Sequence, residues 1–370
     1  MFPMMFAAVH LSSKLGQVSG KGLFEVIHDH YPRWVLYAAL VGVLIGNICE
    51  AAADIGGMSA ALNVLVPIPV KWIAVPITLA ILALQIWGSY ALIRDTFRWL
   101  ALSLFAYIVA AILSKPALPE ILKGTLIPHL HFDKDSLSFV VAIIGTSLSA
   151  YLFTWQSNVE VEEEIQMGRT RLSQRRGATD KELQNSTSDV FWGIVFASLV
   201  MYFIMMSTNA LFKAGKHEIS SAADAAQALT PLAGKAAGLL FAVGVFAVGF
   251  LAVPVMTTGA AYDLSQTVGW KHGLSKTPRE AKRFYLAIAL ISIVAMGLNF
   301  IGLNPMKALV WAGIVQGFSM PPLMLLIMLM TNREDIMGDR VNGPLTNVLG
   351  WVTTVAVFGA TVGLVLSWIL

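Results

Sequence analysis

Thr146, Ser149 and Tyr151 fall within six positions of one another in the run SLSFVVAIIGTSLSAYLFTWQSNVEVEEE, residues 136–164. An apolar stretch long enough to enter a bilayer there meets Gly145, Thr146, Ser147 and Ser149, then turns aromatic and finally acidic. Glycine weakens helical continuity, and serine and threonine hydroxyls bond backbone groups that a break sets free. Lipid tolerates an interrupted helix only where its loosened backbone is buried in protein or lines a water-filled cavity. Carbonyl and hydroxyl oxygens at such a break therefore make a candidate ion or substrate site. The competing reading is packing, since small residues in membrane helices commonly mark close helix contacts.

A second constellation lies upstream. Asn47, Glu50 and Asp54 are spaced i, i+3, i+7 in an apolar run, which puts them on one helix face. Each ionisable group inside a span costs about 2.5 to 3.5 kcal/mol on insertion scales and usually faces a cavity or a partner. Two acids one turn apart cannot both stay charged cheaply. The face reads as a proton relay or a cation-attracting path, with a proton-sharing packing network as the alternative. His129 and His131 lack a carboxylate or cysteine at matching spacing and form a weak metal motif. No His-Glu-x-x-His and no Gly-x-Ser-x-Gly occurs, so no enzyme chemistry is expected.

The elements that must position these groups follow from composition. The 370 residues are 56% hydrophobic and 13% charged, with a mean hydropathy of +0.70, whereas soluble domains carry about a quarter charged residues. This is the composition of an all-α polytopic membrane protein, and at about 20 residues per span it has room for roughly ten helices. The single cysteine, Cys49, excludes an intrachain disulfide, and a net charge of +3 gives no reason to expect nucleic acid.

Met1 to Leu11 is apolar but gives way at Ser12, Ser13 and Lys14, about half a span. It reads as the end of a helix whose beginning lies outside this chain. Gly16 to Arg33 reads as a polar connector. Trp34 to Leu65 is one 32-residue helix, about 48 Å long at 1.5 Å per residue, hence tilted or projecting. Spans are expected at Val70–Tyr90 and Thr96–Leu113, joined by the basic turn Arg94–Arg98, with Gln85 as a helix contact. Ser114–Asp135 reads as an interfacial loop and 159–189 as a solvated cytoplasmic polar loop. Further spans are expected at Val190–Phe212, Ala236–Tyr262, Phe284–Ile301, Met306–Met330 and Leu345–Leu370. Pro254 and Pro321-Pro322 fall inside spans, where they favour kinks, and Asn299 and Gln316 are buried polar residues of low specificity. If the interrupted helix ends in the cytoplasm, seventeen of the 25 Lys and Arg residues fall on the cytoplasmic side, which the positive-inside rule favours.

With those residues assembled, the chain resembles the Nramp (natural resistance-associated macrophage protein) family of divalent metal-ion transporters over nearly its whole length. LGQVSGKGLFEVIHDHYPRW (15–34) is similar to the family's connector between its second and third helices. ADIGGMSAALNVL (53–65) is similar to the end of its third. GTSLSAYLFTWQSNVEVEEE (145–164) is similar to its broken sixth helix in a divergent bacterial branch. The resemblance implies a LeuT-like inverted-repeat fold of about nine full spans plus a partial first one, forming a single transmembrane domain over 1–370. It also implies a bacterial inner membrane and a divalent cation as substrate, with no cofactor. On this alignment Met1 falls within the second helix, and the first, with its Asp-Pro-Gly-Asn type motif, is not represented.

The departures from the family pattern have chemical content. Where typical members read Met-Pro-His-Asn, this chain has Ser149, Ala150, Tyr151 and Leu152. A thioether suits soft or borderline ions, whereas hydroxyl and carbonyl oxygens suit hard ions such as Mg²⁺, Mn²⁺ or Ca²⁺, so a hard-ion preference is expected. Tyr151 cannot take up a proton near neutral pH as an imidazole does. Of two acids usual in the third helix, one matches Asp54 and the other falls at Ala51, with Glu50 beside it on a different heading. The resemblance thus nominates the Thr146 carbonyl, the Ser149 hydroxyl and Tyr151 as the metal site, with Asp54, Glu50 and Asn47 along the ion or proton path. The alternatives are a transporter of the same fold carrying an organic solute such as an amino acid, and a membrane protein that does not transport.

Overall fold

The long apolar runs have one way to lie in lipid, which is as helices that satisfy their own backbone groups, and the computed structural model forms them. It describes residues 1–63, 66, 68–88, 104–113, 118–127, 134–213, 235–302 and 304–369. Among the described residues there is no strand. Among the described residues eight helices are long and apolar enough to cross a membrane, one of them the interrupted pair at 135–166.

In chain order the helices are α1 (Phe2–Ser19), α2 (Leu23–His30), α3 (Arg33–Asn63), α4 (Val70–Trp87), α5 (Phe105–Leu113), α6 (Leu118–Leu126), α7 (Lys134–Ser147) and α8 (Ala150–Gln166). After these come α9 (Leu172–Arg175), α10 (Asp180–Lys213), α11 (Lys235–Val268), α12 (Lys282–Leu298), α13 (Pro305–Thr331), α14 (Glu334–Met337) and α15 (Pro344–Ile369). The centre is α3, which packs along both α11 and α13; α7 lies on α13, and α1 lies on α8. The two largest apolar clusters of the core flank α3. One joins α1, α2, α3, α8 and α13 around Leu11, Phe24 and Phe153. The other joins α3, α4, α11 and α12 around Ile55, Met58 and Ile81.

Three expectations from the sequence are corrected. Helix α1 does not stop at Ser12 and Ser13; both serines are buried in it. Ser12 donates to the Phe153 carbonyl, and Ser13 donates to Glu160 at 2.6 Å. They are the polar stripe by which α1 docks on α8. The connector 16–33 is mostly helical, because Leu23, Phe24, Val26 and Ile27 give α2 a buried face. The polar segment 159–189 is not a solvated loop: α8 continues to Gln166 and α10 begins at Asp180. Glu160, Glu162 and Glu164 are buried there.

Two of those buried acids, Glu160 and Glu162, are surrounded by donors. Glu160 accepts from Ser13, from Gln17 Nε2 at 2.8 Å, from Gln156 Nε2 at 2.8 Å and from Ser186 Oγ at 2.9 Å. Glu162 accepts from the Tyr262 hydroxyl at 2.6 Å and from the Leu274 and Ser275 N–H groups, each at 3.0 Å. The acidic end of α8 is thus the knot that ties α1, α10 and α11 together. Gln85 is a helix contact, donating from α4 to the Thr257 and Thr258 hydroxyls of α11 at 2.9 and 2.8 Å. The Arg94–Arg98 turn, His129 and His131 lie outside the described residues.

Candidate functional site

The interrupted helix breaks at Leu148 and Ser149. The Leu148 N–H still donates to the Ile144 carbonyl at 2.8 Å, closing the last turn of α7. Ser149 then takes up φ −51°, ψ 140°, and Leu152 N–H donates to its carbonyl at 3.0 Å to open α8. Helix ends leave carbonyls without main-chain donors. Here the Ser149 hydroxyl turns back on them, lying 2.7 Å from the Gly145 oxygen and 3.1 Å from the Thr146 oxygen.

Why the chain breaks here rather than packing straight through is partly a matter of glycine. A Cβ on Gly145 would overlap the Gly313 carbonyl and stand 2.5 Å from the Gly317 nitrogen, so α7 lies directly on the backbone of α13. Both readings of the small residues therefore hold, for different residues. Gly145 serves packing, while Ser149 serves the break.

Around Ser149 the structure gathers three polar side chains. Glu50 of α3 brings its carboxylate oxygens to 3.3 and 3.4 Å from the Ser149 hydroxyl. Gln316 of α13 donates to Glu50 Oε2 at 3.1 Å and to Asn47 Oδ1 at 3.0 Å, and its own oxygen accepts the Ala150 N–H at 3.3 Å, at the start of α8. Asn47, Ser149 and Gln316 are 0% exposed and Glu50 is 5% exposed. Gly46 makes the room, since a Cβ on it would stand 2.7 Å from the Gln316 amide carbon. The result is an oxygen-rich group between the C-terminal carbonyls of α7 and the N-terminus of α8. The negative end of one helix dipole faces the site, and Glu50 complements the positive end of the other.

The residues nominated from sequence separate. Ser149 and Glu50 meet directly, and Asn47 joins them through Gln316. Thr146 faces the break through its carbonyl alone, because its hydroxyl donates back to the Ala142 carbonyl at 2.9 Å and its methyl packs towards Gly313. Tyr151 is half-buried on the apolar cluster of α3 and α11, outside the hydrogen-bonded group. Asp54 is half-buried one turn beyond Glu50. Among the described residues no three His, Cys, Asp or Glu side chains are grouped to hold an ion. Any cation at the break would rest on neutral oxygens and retained water as much as on carboxylate.

Two further polar groups stand out in the structure. Gln316, read from the sequence only as a buried polar residue of low specificity, lies between Gly313 and Gly317, where helices touch. Asp263, which the sequence did not single out, is 0% exposed on α11 and is faced by Thr154 of α8.

With this geometry in hand, comparison with known proteins is informative. A family profile described as natural resistance-associated macrophage protein-like matches residues 1–367. A divalent metal cation transporter MntH of Aeromonas hydrophila is 26% identical over 367 residues, covering 97% of this chain and 84% of the relative. One of Deinococcus radiodurans is 26% identical over 358 residues, covering 94% and 76%. Among solved structures, the Eremococcus coleocola manganese transporter in complex with an aromatic bis-isothiourea substituted compound superposes with a TM-score of 0.66 at 20% identity. It covers 98% of this chain and 77% of that one.

Proposed function

The chain belongs to the natural resistance-associated macrophage protein (Nramp) family, and from that membership we propose that it carries a divalent metal cation across the membrane by alternating access, with the break at Leu148–Ser149 as the ion's resting place. The observation that carries this is the meeting of the Glu50 carboxylate, the Ser149 hydroxyl and the freed Gly145 and Thr146 carbonyls at one buried point. The 1–370 chain is read as one transmembrane domain of the inner membrane, and the ion is its cargo rather than a resident cofactor.

The step at the site follows from donor chemistry. A divalent cation entering the break meets carbonyl, hydroxyl and carboxylate oxygens, which replace part of its water shell. The Ser149 hydroxyl, whose proton now points to the α7 carbonyls, rotates to present a lone pair. Gln316 exchanges its donated bonds for an amide oxygen turned inward. Glu50 supplies a negative charge as the cation displaces its proton, and Asp54, one turn on, is the next acid along the path. With no thioether at the site, the donor set favours Mg²⁺ and Mn²⁺ over softer ions. Because α7 is anchored on α13 and α8 on α1, Ser149 is a hinge about which the two halves of the helix move separately.

The test is uptake by the purified protein in liposomes. Glu50→Gln is expected to lower Mn²⁺ uptake by an order of magnitude or more, and Ser149→Ala to lower it less, at unchanged protein yield. Uptake of Mn²⁺ and Mg²⁺ indifferent to both substitutions would refute the assignment of the site.

A further inference from the structure

The cation-rich turn between α11 and α12 does nothing for the site at the break. It encloses an open hollow of about 440 Å³ whose wall includes Trp270, Lys271, Arg279, Lys282 and Arg283. None of these four cations forms an ion pair with a carboxylate among the described residues. Glu280, the acid in the same wall, accepts from the Thr277 N–H at 2.8 Å and its hydroxyl at 2.7 Å. Arg283 lies 5.5 Å above the Trp270 ring, which fixes its plane towards the hollow. Helix α12 opens on the same wall with no side-chain cap.

Such a concentration of positive charge needs an anion, and the surface below it says which kind. Lys282 heads a face of α12 that continues at Leu286, Leu290 and Val294, spaced as one helix ridge, and these three are 57%, 53% and 49% exposed. A free anion has no use for an apolar ridge continuous with its binding cations. A phospholipid uses both parts, with phosphate in the hollow, Trp270 at the headgroup level and an acyl chain along the ridge. The hollow also lies at the end of the molecule that the positive-inside count assigns to the cytoplasm, where anionic lipids reside. Lys21, Arg169 and Arg175 share that end, with Arg175 donating to the Gly20 carbonyl at 3.2 Å.

We propose that the α11–α12 turn is a binding site for the phosphate of an anionic phospholipid of the cytoplasmic leaflet. The site has a mechanical address. Leu274 and Ser275, within the same turn, donate their N–H groups to Glu162 at the end of α8. A lipid held there therefore steadies the turn against which the inner half of the broken helix rests.

Native mass spectrometry of the full chain, titrated with phosphatidylglycerol and with phosphatidylcholine, tests this. The wild type is expected to bind phosphatidylglycerol in preference. The triple substitution Arg279→Gln, Lys282→Gln, Arg283→Gln is expected to weaken that binding about tenfold or more, and Lys307→Gln, on another surface, to leave it unchanged. Should the triple variant not fold, Arg283→Gln alone is read the same way with a smaller loss. Equal retention of phosphatidylglycerol by wild type and variant overturns the proposal. So does displacement of the lipid by inorganic phosphate at equal concentration, which would make this a soluble-anion site.

Discussion

Ser149 stands at the break of the interrupted helix, and Gln316 bonds the groups on either side of it. A serine in a membrane helix ordinarily bonds its own preceding turn, and Ser149 still does so while the helix around it has come apart. The consequence is that its hydroxyl, two carbonyls and Glu50 are already assembled, with Gln316 filling the remaining valences. Gly46→Ala tests the role of that amide without touching a ligand. The added methyl would meet the Gln316 side chain, and small-to-large changes in packed interiors cost about 1 to 3 kcal/mol. The expected outcome is a folded protein of lowered melting temperature whose Mn²⁺ affinity falls together with that of Gln316→Ala. At this scale, types and spacing in the sequence brought out Asn47, Glu50 and Ser149. They gave Gln316 only as a buried polar residue of low specificity, because a lone amide in an apolar run carries no period, and did not bring out Asp263, which lies just past the apolar stretch. Thr146 was readable only as a backbone oxygen.

At the scale of elements, the informative contrast is between two buried acids, Glu162 and Asp263. Glu162 has three donors and ties α8 to α11, whereas Asp263 is faced by Thr154. Replacing a hydrogen-bonded buried acceptor leaves its donors stranded, at about 1 to 3 kcal/mol. A carboxyl with one such neighbour has less to lose. Glu162→Gln is therefore expected to lower the thermal transition of the purified protein clearly, and Asp263→Asn to lower it less or leave it unchanged. The reverse order would show that Asp263 is the more firmly held of the two acids. The same region explains why the run 159–189 misled a reading by composition. A string of glutamates is usually solvated, and only the placement of Ser13, Gln17, Ser186 and Tyr262 on other helices turns these glutamates inward. The apolar cores of the long helices were legible, because apolar length is written locally, but their polar ends were not: α10 begins at Asp180 rather than Val190 and α11 runs to Val268 rather than Tyr262.

For the whole molecule, the organisation is a broken helix whose halves are held by different neighbours around a central α3. Membrane spans and the all-α class follow from composition, and the position of the break from a short run of glycine, threonine and serine. What composition could not supply is that α3 and α13 approach the break together, since that depends on Gly145 meeting Gly313 and on Gly46 meeting Gln316 across the fold. The central claim is that a hard divalent cation rests on the oxygens at this meeting point. Anomalous diffraction from crystals of the protein soaked in Mn²⁺ tests it most directly. The account predicts one strong peak within coordination distance of Glu50, the Ser149 hydroxyl and an α7 carbonyl; a peak elsewhere in the membrane region, with Glu50 and Ser149 still bonded to Gln316 and α7 as they are now, would contradict it.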